Sequence, residues 1–166
     1  VVRANLAIFE DDYWALHGTL TELLRNANAQ CILLIDRTGQ LISSQGAPPD
    51  FDITSFASLC AADFEANVQL AQLIGERDFS TLYHQGADES MYLSRVDTRT
   101  VLVVLFDRHT TLGLVRLRTK KAVEQLGAVM ARLFEKVEYT HEEFSRDVDE
   151  EFAVRAEAEI DNLFRD

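Results

Sequence analysis

The sequence predicts an α+β domain: a three-layer α/β/α arrangement in which one five-stranded antiparallel sheet carries helices on both faces, in the order α-β-β-α-β-β-β-α. Three observations predict it. Apolar residues recur at steps of three and four in three long stretches. Between those stretches lie five short apolar runs bounded by Gly, Asp, Thr and Pro. The chain of 166 residues, 47% hydrophobic and 27% charged, suits one soluble core with some chain to spare.

The first helix is read from Asp11 to Ala27, where Tyr13, Leu16, Leu20, Leu23, Leu24 and Ala27 form one apolar stripe. "CILLIDRTGQLISSQG" then gives an apolar strand, a turn centred on Thr38 and Gly39, and a second strand through Leu41 and Ile42. "GAPPD" breaks the chain. Asp52 or Thr54 can cap a second helix that runs to about Ile74, with Gly75 as its stop signal. Apolar positions of this helix cover well over half its circumference, against a stripe of about 100° for a helix lying on one sheet. A helix of that kind has more than one surface to bury, and self-association is the preferred reading over a deeply buried core helix. "FSTLYHQGADESMYLSRVDTRTVLVVLFDR" supplies three strands of an antiparallel meander with turns at "GAD" and "DTRT". The third helix follows in "TTLGLVRLRTKKAVEQLGAVMARLFEKV". From Glu138 the periodicity fades and carboxylates dominate, so the expected division is a domain over residues 1–137 and an acidic tail over 138–166.

Charge excludes several functions. The net charge of −12 argues against a nucleic-acid or anionic-membrane surface, both of which need clustered Lys and Arg. Residues 138–166 hold 11 acids and 3 bases, which concentrates the imbalance in the tail. No apolar run approaches the roughly 20 residues of a membrane-spanning helix, and the N-terminal stretch lacks the pattern of a secretory signal. A cytoplasmic location is expected. Cys31 and Cys60 sit in apolar-periodic segments and are expected to be buried reduced thiols.

Catalytic chemistry is not legible. "GAPPD" and "IGERDF" lack the glycine spacing and Lys-Ser/Thr ending of a phosphate loop. His17, His84, His109 and His141 are scattered, with no metal-ligand spacing, so no metal and no cofactor is expected. Ser43 and Ser44 lack the flanking glycines of a nucleophile elbow, and the paired acids Asp11–Asp12 and Glu142–Glu143 read as solvated charge. Arg116, Arg118, Lys120 and Lys121 could lend an arginine to a partner's phosphoryl transfer, although solvation of an outer helix face is the favoured reading.

With these elements in place, the order of the chain together with "ANAQCILLIDRTGQLISSQG", "SFASLCAADFEANVQLAQLIGE", "HQGADESMYL" and "VLVVLFDRHTTLGLVRLRTKKA" resembles the bacterial branch of the Roadblock/dynein light chain family. The similarity covers roughly residues 6–137, and the closing "EIDNLF" resembles the tails of the MglB-like subgroup. The resemblance implies a homodimer with central helices side by side and sheets joined at their edges. It implies a small Ras-like GTPase of the MglA type as partner, in cell polarity or motility. In that subgroup the dimer is a GTPase-activating protein that repositions the GTPase's own catalytic residues, so the chain is not expected to be an enzyme; its tail is implied to influence nucleotide exchange. A non-catalytic adaptor of the same fold is the alternative.

On the second helix, the adjoining positions Ser58, Ala62, Glu65, Ala66 and Gln69 are expected to meet the GTPase, the two alanines allowing a partner backbone to come close. Leu59, Phe64 and Leu70 are expected to be largely buried in the dimer. The sequence departs from the subgroup's small mid-helix residues at Asp63, Phe64, Glu65, Val68 and Gln69. In the tail, Ile160, Leu163 and Phe164 share one face at i, i+3 and i+4 and are expected to form an anchor for a groove of the GTPase.

Overall fold

The first helix, α1 (Glu10–Ala27), opens on Glu10, Asp11 and Asp12 and carries Arg25 in its last turn, a charge order that complements the helix dipole. The structure, a computed structural model, describes residues 10–47 and 50–136. At the end of α1, Asn28 takes a positive φ of 51°, and the Ala29 and Asn28 amides donate back to the Leu24 and Arg25 carbonyls, closing a Schellman-type stop. Leu16, Leu20, Leu23 and Ala27 form the buried stripe of the helix.

Strands β1 (Cys31–Asp36) and β2 (Leu41–Gly46) form the expected hairpin. Its turn is built by one carboxylate: Asp36 Oδ1 accepts from the Thr38 amide and hydroxyl and from the Gln40 amide. Gly39 sits at φ +84°, and a Cβ there would lie 2.5 Å from Ser58 Cα, so this turn is seated against the next helix. That helix, α2 (Ile53–Leu73), is capped by Asp52, whose side chain accepts from the Thr54 and Ser55 amides. It ends in a second Schellman pair, Glu76 amide to Ala71 carbonyl and Gly75 amide to Gln72 carbonyl, with Gly75 at φ +83°.

The meander follows as β3 (Thr81–Gln85), β4 (Glu89–Arg95) and β5 (Thr100–Asp107). All pairings are antiparallel and the strand order is β2-β1-β5-β4-β3. The last described helix, α3, runs from 112 to 136; residues up to Met130 belong to the unit Phe9–Met130, and 131–136 to a second unit.

The two central strands are buried along almost their whole length, and side-chain alternation assigns their residues to two layers. Cys31, Leu33, Ile35, Leu93, Val101, Val103 and Leu105 meet Ala57, Cys60, Ala61 and Phe64 of α2. Ile32, Leu34, Leu102 and Val104, equally buried, point to the other face. On that face α1 packs on β1 and β2, and α3 lies beside α1, joined by Lys121 to Glu22 at 3.1 Å. The three-layer α+β arrangement is therefore as the sequence predicts.

Candidate functional site: the outward face of α2

Two side-chain pairs hold α2 across the sheet. On one flank Glu65 pairs with Arg37 of the β1–β2 turn at 3.0 Å. On the other, His84 of β3 bonds to Asp63 at 2.6 Å. Both pairs are partly exposed, so they contribute orientation more than stability. Inward, Ala57, Cys60, Ala61, Phe64, Asn67 and Ala71 are buried. Burial of Cys60, reinforced by the charge of nearby Asp63, pushes its thiol up to about 12, and burial also raises Cys31; both cysteines are free.

The outward face is what remains. Ser58, Ala62, Ala66 and Gln69 are exposed and Glu65 is half-buried, so the five positions expected to meet a partner do share one accessible surface. Beside them runs an apolar flank, with Leu59 69% exposed and Leu70 58%, and Leu73 is 81% exposed. Projected at 100° per residue, Leu59 and Leu70 turn toward the Asp63 side, which faces edge strand β3, while Leu73 points straight outward in line with Ala62 and Ala66. Ser58, Glu65 and Gln69 turn toward the β1–β2 turn. Phe64 is set apart from Leu59 and Leu70: it is 5% exposed and packs on the chain's own sheet, under the guanidinium of Arg95.

This placement accounts for the bulky and charged residues noted in mid-helix. Phe64 points inward, Val68 is half-buried against the core, and Asp63 and Glu65 are drawn to the flanks by His84 and Arg37. Ala62 and Ala66 are left as the outermost residues. Ile160, Leu163 and Phe164 lie outside the described residues, as does the boundary proposed at 137/138.

Arg116, Arg118 and Lys120 are exposed on α3, in the layer opposite α2. Among the described residues, no group of three or more His, Cys, Asp or Glu is arranged to hold a metal, and no helix is long and apolar enough to cross a membrane.

Sequence reasoning missed a pocket. Arg37, Glu65, Arg95, Asp97 and Thr98 rim a cavity of about 170 Å³ floored by Ala61, Phe64, Val68 and Val101. The β1–β2 and β4–β5 turns that form its wall are tied together by the Arg37 amide donating to the Arg99 carbonyl at 2.9 Å. The similar turns "DRTG" and "DTRT" were the available signal, but their meeting depends on β1 lying beside β5.

The fold and the exposed helix face define a small α+β domain with one antiparallel sheet between helices and an uncovered central helix face, and known proteins specify it further. Residues 17–106 match the Roadblock/LC7 domain, and the chain belongs to that family. It is similar to Myxococcus xanthus MglB at 45% identity, covering 70% of this chain and 95% of that one, with a TM-score of 0.68. The gliding protein MglB of Thermus thermophilus is 32% identical over 77% of this chain and 97% of its own, at a TM-score of 0.71. A structure described as MglB with tetrameric arrangement is 31% identical over 80% and 99%, at 0.74. No curated protein matches the chain.

Proposed function

We propose that this chain forms a homodimer that binds a small Ras-like GTPase of the MglA type and accelerates its GTP hydrolysis, in the control of cell polarity or motility. The observation that carries the reading is the outward face of α2: small side chains at Ala62 and Ala66 lie between an apolar flank and a polar one, all uncovered in the single chain. The apolar flank, Leu59 and Leu70, serves self-association, since it turns toward edge strand β3, where a second sheet can add by strand pairing. The arc Ser58, Ala62, Glu65, Ala66 and Gln69 serves the GTPase. Similarity to proteins named MglB supports the choice of partner.

The domain acts without donating a catalytic group. Its exposed arginines on α3 are on the far side of the sheet from α2, out of reach of a GTPase seated there. Activation then consists of holding the GTPase's own catalytic residues in their productive positions, a gain in preorganisation. The tail, with Ile160, Leu163 and Phe164 as anchor, binds a second surface of the same GTPase and promotes nucleotide exchange.

Single-turnover GTP hydrolysis by the MglA-type GTPase of the same organism, with and without this protein, tests the proposal. Stimulation that is abolished by Ala66→Arg, in a variant that stays dimeric, is the expected result. Binding without stimulation would make the protein an adaptor and overturn the activating role; unchanged binding by Ala66→Arg would reject the α2 face.

A further inference from the structure

We propose that the pocket beside α2 receives one long cationic side chain, a lysine or arginine, from the protein that docks on α2; this rests on the α2 reading above and adds the chemistry that selects the partner. The cavity of about 170 Å³ holds far more than one water and is amphipathic. Its floor, Ala61, Phe64, Val68 and Val101, is apolar. A lysine or arginine has the complementary build, an apolar stem carrying a charged head.

The charge of the rim chooses the sign of the head. Arg37 is already committed, to the Glu65 carboxylate at 3.0 Å and to the Thr98 carbonyl at 3.5 Å. Arg95 is committed to Asp78 and lies over the Phe64 ring. Neither guanidinium calls for an anion. Asp97 is different: its Oδ1 accepts from the Arg99 amide at 2.7 Å, whereas its Oδ2 is shut off from solvent with no hydrogen-bond donor. Buried carboxylate oxygens are normally paired, and an orphan at a pocket wall marks the place of a missing donor. Asp97 lines the pocket, so its carboxylate, turning about a torsion with a broad well, is placed to meet an entering N–H. Glu65, 47% exposed at the mouth, offers the second acceptor.

Because Glu65 is also part of the outward arc, a partner lying across Ala62 and Ala66 passes directly over the opening. The pocket thus reads one residue of whatever docks there, and a partner with an acidic or short residue at that point leaves Asp97 unpaired. Discrimination by an unmet buried acceptor is stronger than discrimination by shape alone.

The test uses the full chain and a defined probe. Titration of isotope-labelled protein with n-butylguanidinium, followed by NMR, is expected to shift the amides of Ala61, Val68, Asp97, Thr98 and Val101, and butyrate at equal concentration is expected to leave them in place. Asp97→Asn, which keeps the Oδ1 acceptor of the turn, and the exposed change Glu65→Gln should each weaken the guanidinium shifts and lower GTPase affinity about tenfold. Absence of shifts in the wild type, equal shifts with butyrate, or wild-type GTPase affinity in both variants would overturn the pocket's role. If Ala66→Arg abolishes GTPase binding while the two pocket variants bind normally, the α2 face stands and the pocket assignment falls. If guanidinium shifts appear and depend on Asp97 but Ala66→Arg binds normally, the cation site stands and the docking face is elsewhere.

Discussion

Individual side chains in this domain act mainly by closing backbone turns. The Asp52 carboxyl is held below its ordinary value of 3.8 by the Ser55 hydroxyl and then by the Ser55 and Thr54 amides at the start of α2. A depressed carboxyl contributes stability that is present above its unfolded value and lost as pH falls through its folded one. Asp52→Ala is therefore expected to lower the melting temperature at pH 7, and the difference from wild type should shrink steadily below pH 4, measured by thermal circular dichroism. Gly39 carries a steeper penalty, since alanine meets both a positive φ and the Ser58 backbone. Gly39→Ala should cost about 1–3 kcal/mol in urea unfolding; a cost under ~0.5 kcal/mol would mean that the turn does not rest on α2. At this scale the sequence was informative where the chemistry is local. Asp52 as cap and Gly75 as stop could both be read from spacing, because each acts on amides or carbonyls within a few residues. Asp97 could not, because its turn becomes a pocket wall only when Arg37, 60 residues earlier, arrives beside it.

Among the elements, α2 carries the uncovered face on which the proposed binding rests. Its periodicity announced two surfaces, and the structure divides them: Phe64 on the inside, Leu59 and Leu70 on the outside. The sequence could not make that division, since an apolar residue reads the same whether it meets its own sheet or another chain. Light scattering at micromolar concentration is expected to give about twice the 18.8 kDa chain mass. Leu59→Asp combined with Leu70→Asp should return a folded monomer, because both side chains are mostly exposed in the single chain and their loss opens no cavity. Dimeric behaviour of that double variant would move the self-association surface off α2. The strands were legible for a simpler reason. Runs such as "CILLI" and "VLVVLF" have the length and apolar continuity of strands buried on both faces, and β1 and β5 are those strands. What lay beyond the pattern was their adjacency, since β1 and β5 are joined by no hairpin.

Along the whole sequence charge is unevenly distributed: Arg116, Arg118 and Lys120 lie close together on α3, and residues 138–166 hold 11 acids against 3 bases. Replacing Arg116 and Arg118 by alanine is expected to change GTP hydrolysis by less than about threefold, against the 10³-fold or greater loss that follows removal of a donated arginine. Deleting residues 156–166 should leave dimerisation and unfolding midpoint unchanged while weakening GTPase affinity or slowing nucleotide exchange; a truncated protein equal to the full chain in both assays would remove the anchor from the mechanism. The strand order has a further consequence, in time. β5 is the last of the described strands to be synthesised, yet it occupies the middle of the sheet between β1 and β4. Translation at ~5–20 residues per second separates the emergence of β1 from that of its central partner by several seconds. Throughout that interval the hairpin presents the apolar inner edge of β1 unpaired, and the β3–β4 ribbon, complete at Arg95 shortly before β5 begins at Thr100, adds a second such edge only at its end. Closure of the sheet needs residues 100–107, which pair with β1 on one side and β4 on the other. The period before that step, and not the finished domain, is when this chain is most exposed to pairing with a neighbour on the same polysome.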